Sequence, residues 1–142
     1  NFSIELKTSD TTGKGIFGYE FDFLYDSEVI TPQANPCDSP GTLSDTTIGR
    51  TVICNSVAPG LLRVVMFSST GTPVSGEGIL LRLNFTAVGA AGASSPLTLR
   101  SFMFNEGLSK DIIFNGRIQI AGSAAVNAPF SSKRFGFSDV FL

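Results

Sequence analysis

The chain has 142 residues, 15% charged and 42% hydrophobic, with a net charge of −2 and neither histidine nor tryptophan. This length suits one domain with one core; the scattered Lys and Arg form no basic stripe for nucleic acid, and no apolar run approaches the ~20 residues of a membrane span. Lacking histidine, the chain lacks the commonest general base, triad partner and metal ligand together, so the expectation is a protein that is not an enzyme and carries no metal or cofactor.

Phe2, Ile4 and Leu6 alternate with Ser3, Glu5 and Lys7, which predicts a half-buried first strand, and residues 8–14 read as a polar turn. In the stretch 13–30, GKGIFGYEFDFLYDSEVI, Phe17, Tyr19, Phe21, Phe23 and Tyr25 recur at every second residue. That period predicts a strand with five rings on one buried face and Gly18, Glu20 and Asp22 on the other. Asp26, Ser27 and Glu28 form a turn, after which Val29 and Ile30 resume an apolar segment. Residues 31–49 hold three prolines, Cys37 and many Ser, Thr and Asp residues, a composition that predicts a long irregular excursion. Residues 51–57 read as a short strand carrying Cys54. Two cysteines are too few for a Cys-only zinc site. The preferred reading is a Cys37–Cys54 disulfide that pins the excursion and contributes about 3 kcal/mol; two free buried thiols are the alternative.

Pro59 and Gly60 mark a tight turn, and LLRVVMFS at 61–68 reads as a strand apolar on both faces, hence central or covered on its second face. A glycine-rich loop follows to Gly78, then the alternating strand 79–88, ILLRLNFTAV, and a further strand at 96–102. Residues 105–110 read as a turn, and 111–114 with 117–121 as a hairpin about Asn115 and Gly116. Eight or nine short strands without a helical segment imply a β-sandwich. Predicted bounds are 1–121 for the sandwich and 122–142 for a C-terminal extension, a linker-like run followed by an apolar tail. In that tail Phe130, Phe135, Phe137, Val140, Phe141 and Leu142 are candidates for packing on the chain's own domain or for strand addition to another copy.

The residues G-I-x-x-x-E-F-D-F-x-Y-D at 15–26, followed by a Val-Ile pair, resemble a strand of the cohesin family. Residues 62–67, the segment GEGILLRLNFTAV at 76–88 and the run ending FNGRIQI at 120 resemble later cohesin strands in the same order. The resemblance covers roughly residues 2–121. It implies an all-β, nine-stranded jelly-roll sandwich with an extended tail that binds dockerin modules non-catalytically. It also implies a secreted or cell-surface setting in a bacterium. Type I cohesins carry an Asn and an Asp facing the dockerin where this chain has Gly18 and Glu20. Ser27 replaces the family's proline, and the cysteine excursion and the tail lie outside the pattern.

Several chemical readings compete with plain structural ones. Glu20 and Asp22 could be paired carboxylates of a glycosidase, but nothing in the sequence places a sugar subsite, and two outward, solvated strand positions account for both. Asp22, Asp26 and Glu28 could offer oxygen ligands to Ca²⁺, although their spacing matches no calcium loop. Asn1 and Asn84 each open an N-x-[ST] sequon and are read as strand-end and outward-facing amides. The cohesin resemblance, by placing the partner on this strand's outer face, implies Gly18, Glu20 and Asp22 as the candidate partner-binding residues. The partner is expected to be a dockerin-like module, or further copies of the chain that build a fibre through the tail. A carbohydrate-binding role is disfavoured by the absence of tryptophan.

Overall fold

The computed structural model describes residues 1–105, 107, 113, 115–122 and 140–141. Its strands are β1 (Phe2–Thr8), β2 (Gly18–Leu24), β3 (Ile30–Asp38), β4 (Arg50–Ala58), β5 (Leu61–Ser68), β6 (Gly78–Ala87), β7 (Ser94–Phe104), β8 (Gly116–Gln119) and β9 (Val140–Phe141). They form two sheets, ordered β3-β6-β1-β9 and β4-β5-β2-β7-β8. Among the described residues every strand pairing is antiparallel except that of β9 with β1. The expected all-β sandwich is what the chain forms.

Alternation decides which side chains meet between the sheets. Tyr19, Phe21 and Phe23 of β2 face inward, and so do Leu62, Val64 and Met66 of β5 and Leu81, Leu83 and Phe85 of β6. The rings gather in two groups. Tyr19 and Phe21 stack on Phe102, while Phe23 and Tyr25 pack on Phe85. Each fully buried ring contributes roughly 1.5–3 kcal/mol of apolar transfer. The polar end of Tyr19 is satisfied by Ser44 at 2.7 Å, and burial raises its phenol pKa.

Four sequence expectations need correction. Phe17 does not join the inward row: it is 45% exposed, and Ile16 is buried instead. The period breaks because Ile16 bridges to Val74 before β2 begins, while the N–H groups of Phe17 and Gly18 both donate to Asn105 Oδ1, at 2.7 and 3.2 Å. Second, the stretch 31–49 contains β3, which pairs with β6 through a bulge between Pro32 and Cys37. Its prolines are tolerated because β3 is an edge strand. Third, Gly116 is not a hairpin turn residue. It opens β8 opposite Leu97 of β7, and the Asn115 side chain accepts from the Leu99 N–H at 3.0 Å. Most of the expected strand at 111–114 lies outside the described residues. Fourth, Asp22 is not solvated: it is buried, at 6% exposure.

Cys37 and Cys54 form the expected disulfide, with their Cα atoms 6.2 Å apart. It joins β3 of one sheet to β4 of the other. In the tail, Val140 and Phe141 lie opposite Leu6 and Lys7 of the same chain. Phe130, Phe135, Phe137 and Leu142 lie outside the described residues.

Candidate protein-binding face

The outer face of the five-stranded sheet is where Gly18, Glu20 and Asp22 come together with residues from three neighbouring strands. Register fixes the rows. Thr51, Phe67 and Gly18 form one row; Ile53, Val65, Glu20 and Met103 the next; Asn55, Arg63, Asp22 and Arg100 the third. The first two rows are mostly apolar yet face solvent, with Phe67 43% and Ile53 51% exposed. Phe17 and Val57 add further exposed apolar surface on the chain before β2 and at the end of β4. The strand apolar on both faces is therefore β5, whose inner row fills the core and whose outer row holds Val65 and Phe67.

An open concavity of about 600 Å³ lies over the start of β2, lined by Phe17, Gly18, Glu20, Val65, Phe67 and Met103, among others. Its floor requires glycine. A Cβ on Gly18 would sit 2.9 Å from the Met66 backbone carbonyl oxygen, closer than van der Waals contact allows. Gly18 thus contributes a lack of side chain, which opens the concavity.

Asn105 holds this floor in place. It accepts from the Phe17 and Gly18 N–H groups, donates through Nδ2 to the Gly15 carbonyl at 2.6 Å, and its own N–H bonds the Gly18 carbonyl at 3.0 Å. Its φ of 43° is left-handed, a region that Asn tolerates better than most residues.

Asp22 plays a different part from Glu20. Arg63 meets it through two bonds, Nε to Oδ1 at 2.8 Å and Nη2 to Oδ2 at 3.1 Å, and Arg100 adds a third at 3.1 Å. The hydrogen bond from Arg63 is the main reason that its carboxyl pKa is held below the ordinary value, with Arg100 assisting against the cost of burial. The Asp22 side chain is 8% exposed, whereas those of Arg63 and Arg100 are 55% and 53% exposed. The acid lies beneath and the two cations face outward. A bulge in β7 produces this arrangement: Ser101, at φ 54°, is inserted so that Leu97 and Leu99 before it and Phe102 and Phe104 after it all face the core. Glu20 remains exposed, between the concavity and the arginines.

The sequence reading names Gly18, Glu20 and Asp22 of this face and does not reach Phe67, Ile53, Arg63, Arg100 or Asn105, which the structure places beside them. For Phe67 a signal existed in the two-sided apolar pattern of 61–68. The others depend on register between distant segments. Among the described residues no group of His, Cys, Asp or Glu is placed to hold a metal ion, and no helix is long and apolar enough to cross a membrane.

Several solved structures share this fold. The solution structure of CaCohA2 from Clostridium acetobutylicum is 23% identical, with 87% of this chain and 83% of that one aligned at a TM-score of 0.63. The third cohesin of ScaC from Acetivibrio cellulolyticus, solved in complex with the ScaB dockerin, is 15% identical over 85% of this chain and 100% of its own, at a TM-score of 0.60. A cohesin module from a family 33 glycoside hydrolase of Clostridium perfringens is 18% identical over 77% and 76%, at 0.59. No curated protein sequence matches the chain. The sequence model of the Cohesin domain matches residues 1–120, and with the jelly-roll sandwich already in view, the chain belongs to the cohesin family.

Proposed function

We propose that this chain is a non-catalytic protein-interaction module that docks a dockerin-like partner on the outer face of β4, β5, β2 and β7. The observation that carries the reading is the exposed apolar surface of Phe17, Ile53 and Phe67 around the Gly18 concavity. Apolar area of this kind, gathered beside hydrogen-bonding and charged groups on a monomer, is the usual mark of a protein interface. Two relatives were solved with dockerins bound: CaCohA2 with CaDoc0917, and a scaffoldin B cohesin of Acetivibrio cellulolyticus with the Cel5 dockerin. The disulfide supports an extracellular setting, since such bonds persist in oxidising compartments.

The test is calorimetric titration of a panel of purified dockerin modules into the wild-type chain and the double variant Ile53→Ser/Phe67→Ser. Both positions are exposed, so their replacement changes stability by only about 0.5 kcal/mol each. At least one dockerin should bind the wild type, and the double variant should bind it at least tenfold more weakly. Binding that is absent from the whole panel, or equal for both proteins, would overturn the reading.

A further inference from the structure

Resting on that reading, we infer that the partner presents an apolar side chain to the Gly18 concavity and, about 13 Å away along the strand, a carboxylate to Arg63 and Arg100. The distance follows from the four residue steps from Gly18 to Asp22 at ~3.3 Å each, which on a partner helix corresponds to about nine residues at 1.5 Å.

The argument begins with the inverted placement of charge. An ion pair meant only to hold strands together needs one cation for its acid. Here two arginines share one carboxylate, the carboxylate is the covered member, and both guanidinium groups are more than half exposed. Each guanidinium carries five N–H donors. Arg63 turns two of them on Asp22 and Arg100 one. Asp22 fixes the forks in place and leaves outward donors for another acceptor. A carboxylate bridging them would gain charge-assisted bonds with the side-chain ordering already done. Glu20, exposed between the concavity and the arginines, repels an acid placed over the centre of the face and confines it to the Asp22 end. The same residue favours a basic or neutral neighbour beside the apolar anchor.

A phage-displayed library of dockerin modules, varied at exposed helix positions, is selected on the wild-type protein, and every binder is counter-screened against Ile53→Ser/Phe67→Ser. Face-dependent binders should be enriched in Asp or Glu about nine residues from an apolar anchor. Changing that acid to its amide in the binder, with this chain untouched, should raise Kd at least tenfold. The variant Arg63→Met/Arg100→Met should show the same loss while keeping its sheet circular dichroism. Raising the salt from 50 to 500 mM should weaken the acid-bearing complexes and leave the amide versions nearly unchanged. Face-dependent binders without acidic enrichment, or with amides that bind equally, overturn the inference and leave the docking reading intact. If no binder depends on the face, both fall. Sedimentation that shows the face already occupied by a second copy of the chain would overturn the inference as well.

Discussion

Asn105 offers the most direct way to test how the concavity is built. Replacing it with alanine removes two accepted bonds and one donated bond, each of net worth about 0.5–1.5 kcal/mol. It also leaves a residue with no preference for left-handed backbone at φ 43°, a further cost of about 1 kcal/mol. The bonds are only part-buried or exposed, so water recovers some of the loss. The expected total is about 3 kcal/mol, or roughly 10 °C in Tm for a domain of this size. Two companion variants separate the contributions. Asn105→Gly relieves the backbone while losing the side-chain bonds, and should recover about 1 kcal/mol of the alanine loss. Asn105→Asp keeps an oxygen that can accept both N–H bonds but sets a second carboxylate oxygen against the Gly15 carbonyl, and should cost less than alanine. Urea denaturation measures all three, and amide hydrogen exchange at Phe17 and Gly18 reports the local effect. Exchange at those two amides should accelerate in the alanine and glycine variants and stay protected in the aspartate variant. If all three match the wild type in stability and exchange, the clip has no structural role and the account of why Phe17 faces outward is wrong.

Replacing both cysteines with alanine opens a loop with a sequence separation of 17 and should lower unfolding stability by about 3 kcal/mol on the chain-entropy estimate; a loss below about 1 kcal/mol in denaturant titrations would contradict it. Asp22 has a depressed carboxyl pKa in the fold, so its stabilisation is complete above the ordinary aspartate value near 4 and fades as pH falls through the lower native value. Asp22→Asn should therefore flatten the acid limb of the stability profile, and a limb of unchanged slope would count against the cluster. Deleting 123–142 removes β9 and should abolish amide protection along the β1 edge near Leu6 and Lys7, while light scattering reports a monomer before and after; loss of large particles on deletion would instead favour the tail as an assembly element.

Much of the fold can be read from short-range pattern, because a strand with one buried face writes its period into a few residues. The alternation in 2–7, 19–25 and 79–88 assigns β1, β2 and β6 in this way. Edge strands are less legible. Pro32 and Pro36 would disqualify a central strand, and only the position of β3 at the sheet margin makes them acceptable. Phe17 shows the limit of periodicity itself, since its direction is set by contacts distant in sequence, the Ile16–Val74 bridge and an Asn105 side chain 88 residues away. The candidate face divides similarly. Gly18, Glu20 and Asp22 share a face by parity alone, yet the difference between them comes from register: Asp22 lies opposite Arg63 and Arg100, while Glu20 lies opposite Val65 and Met103. Nothing within any one strand distinguishes the buried acid from the exposed one.

The disulfide has a consequence for how the molecule comes apart. Because β3 and β4 are margins of opposite sheets and are covalently sewn together, that side behaves like the spine of a book. Partial opening should therefore begin at the fore-edge, where among the described residues β8 and β9 are the outermost strands and span only four and two residues. The pages nearest the spine, which carry Ile53 and Phe67, should keep their shape until the whole fold is lost.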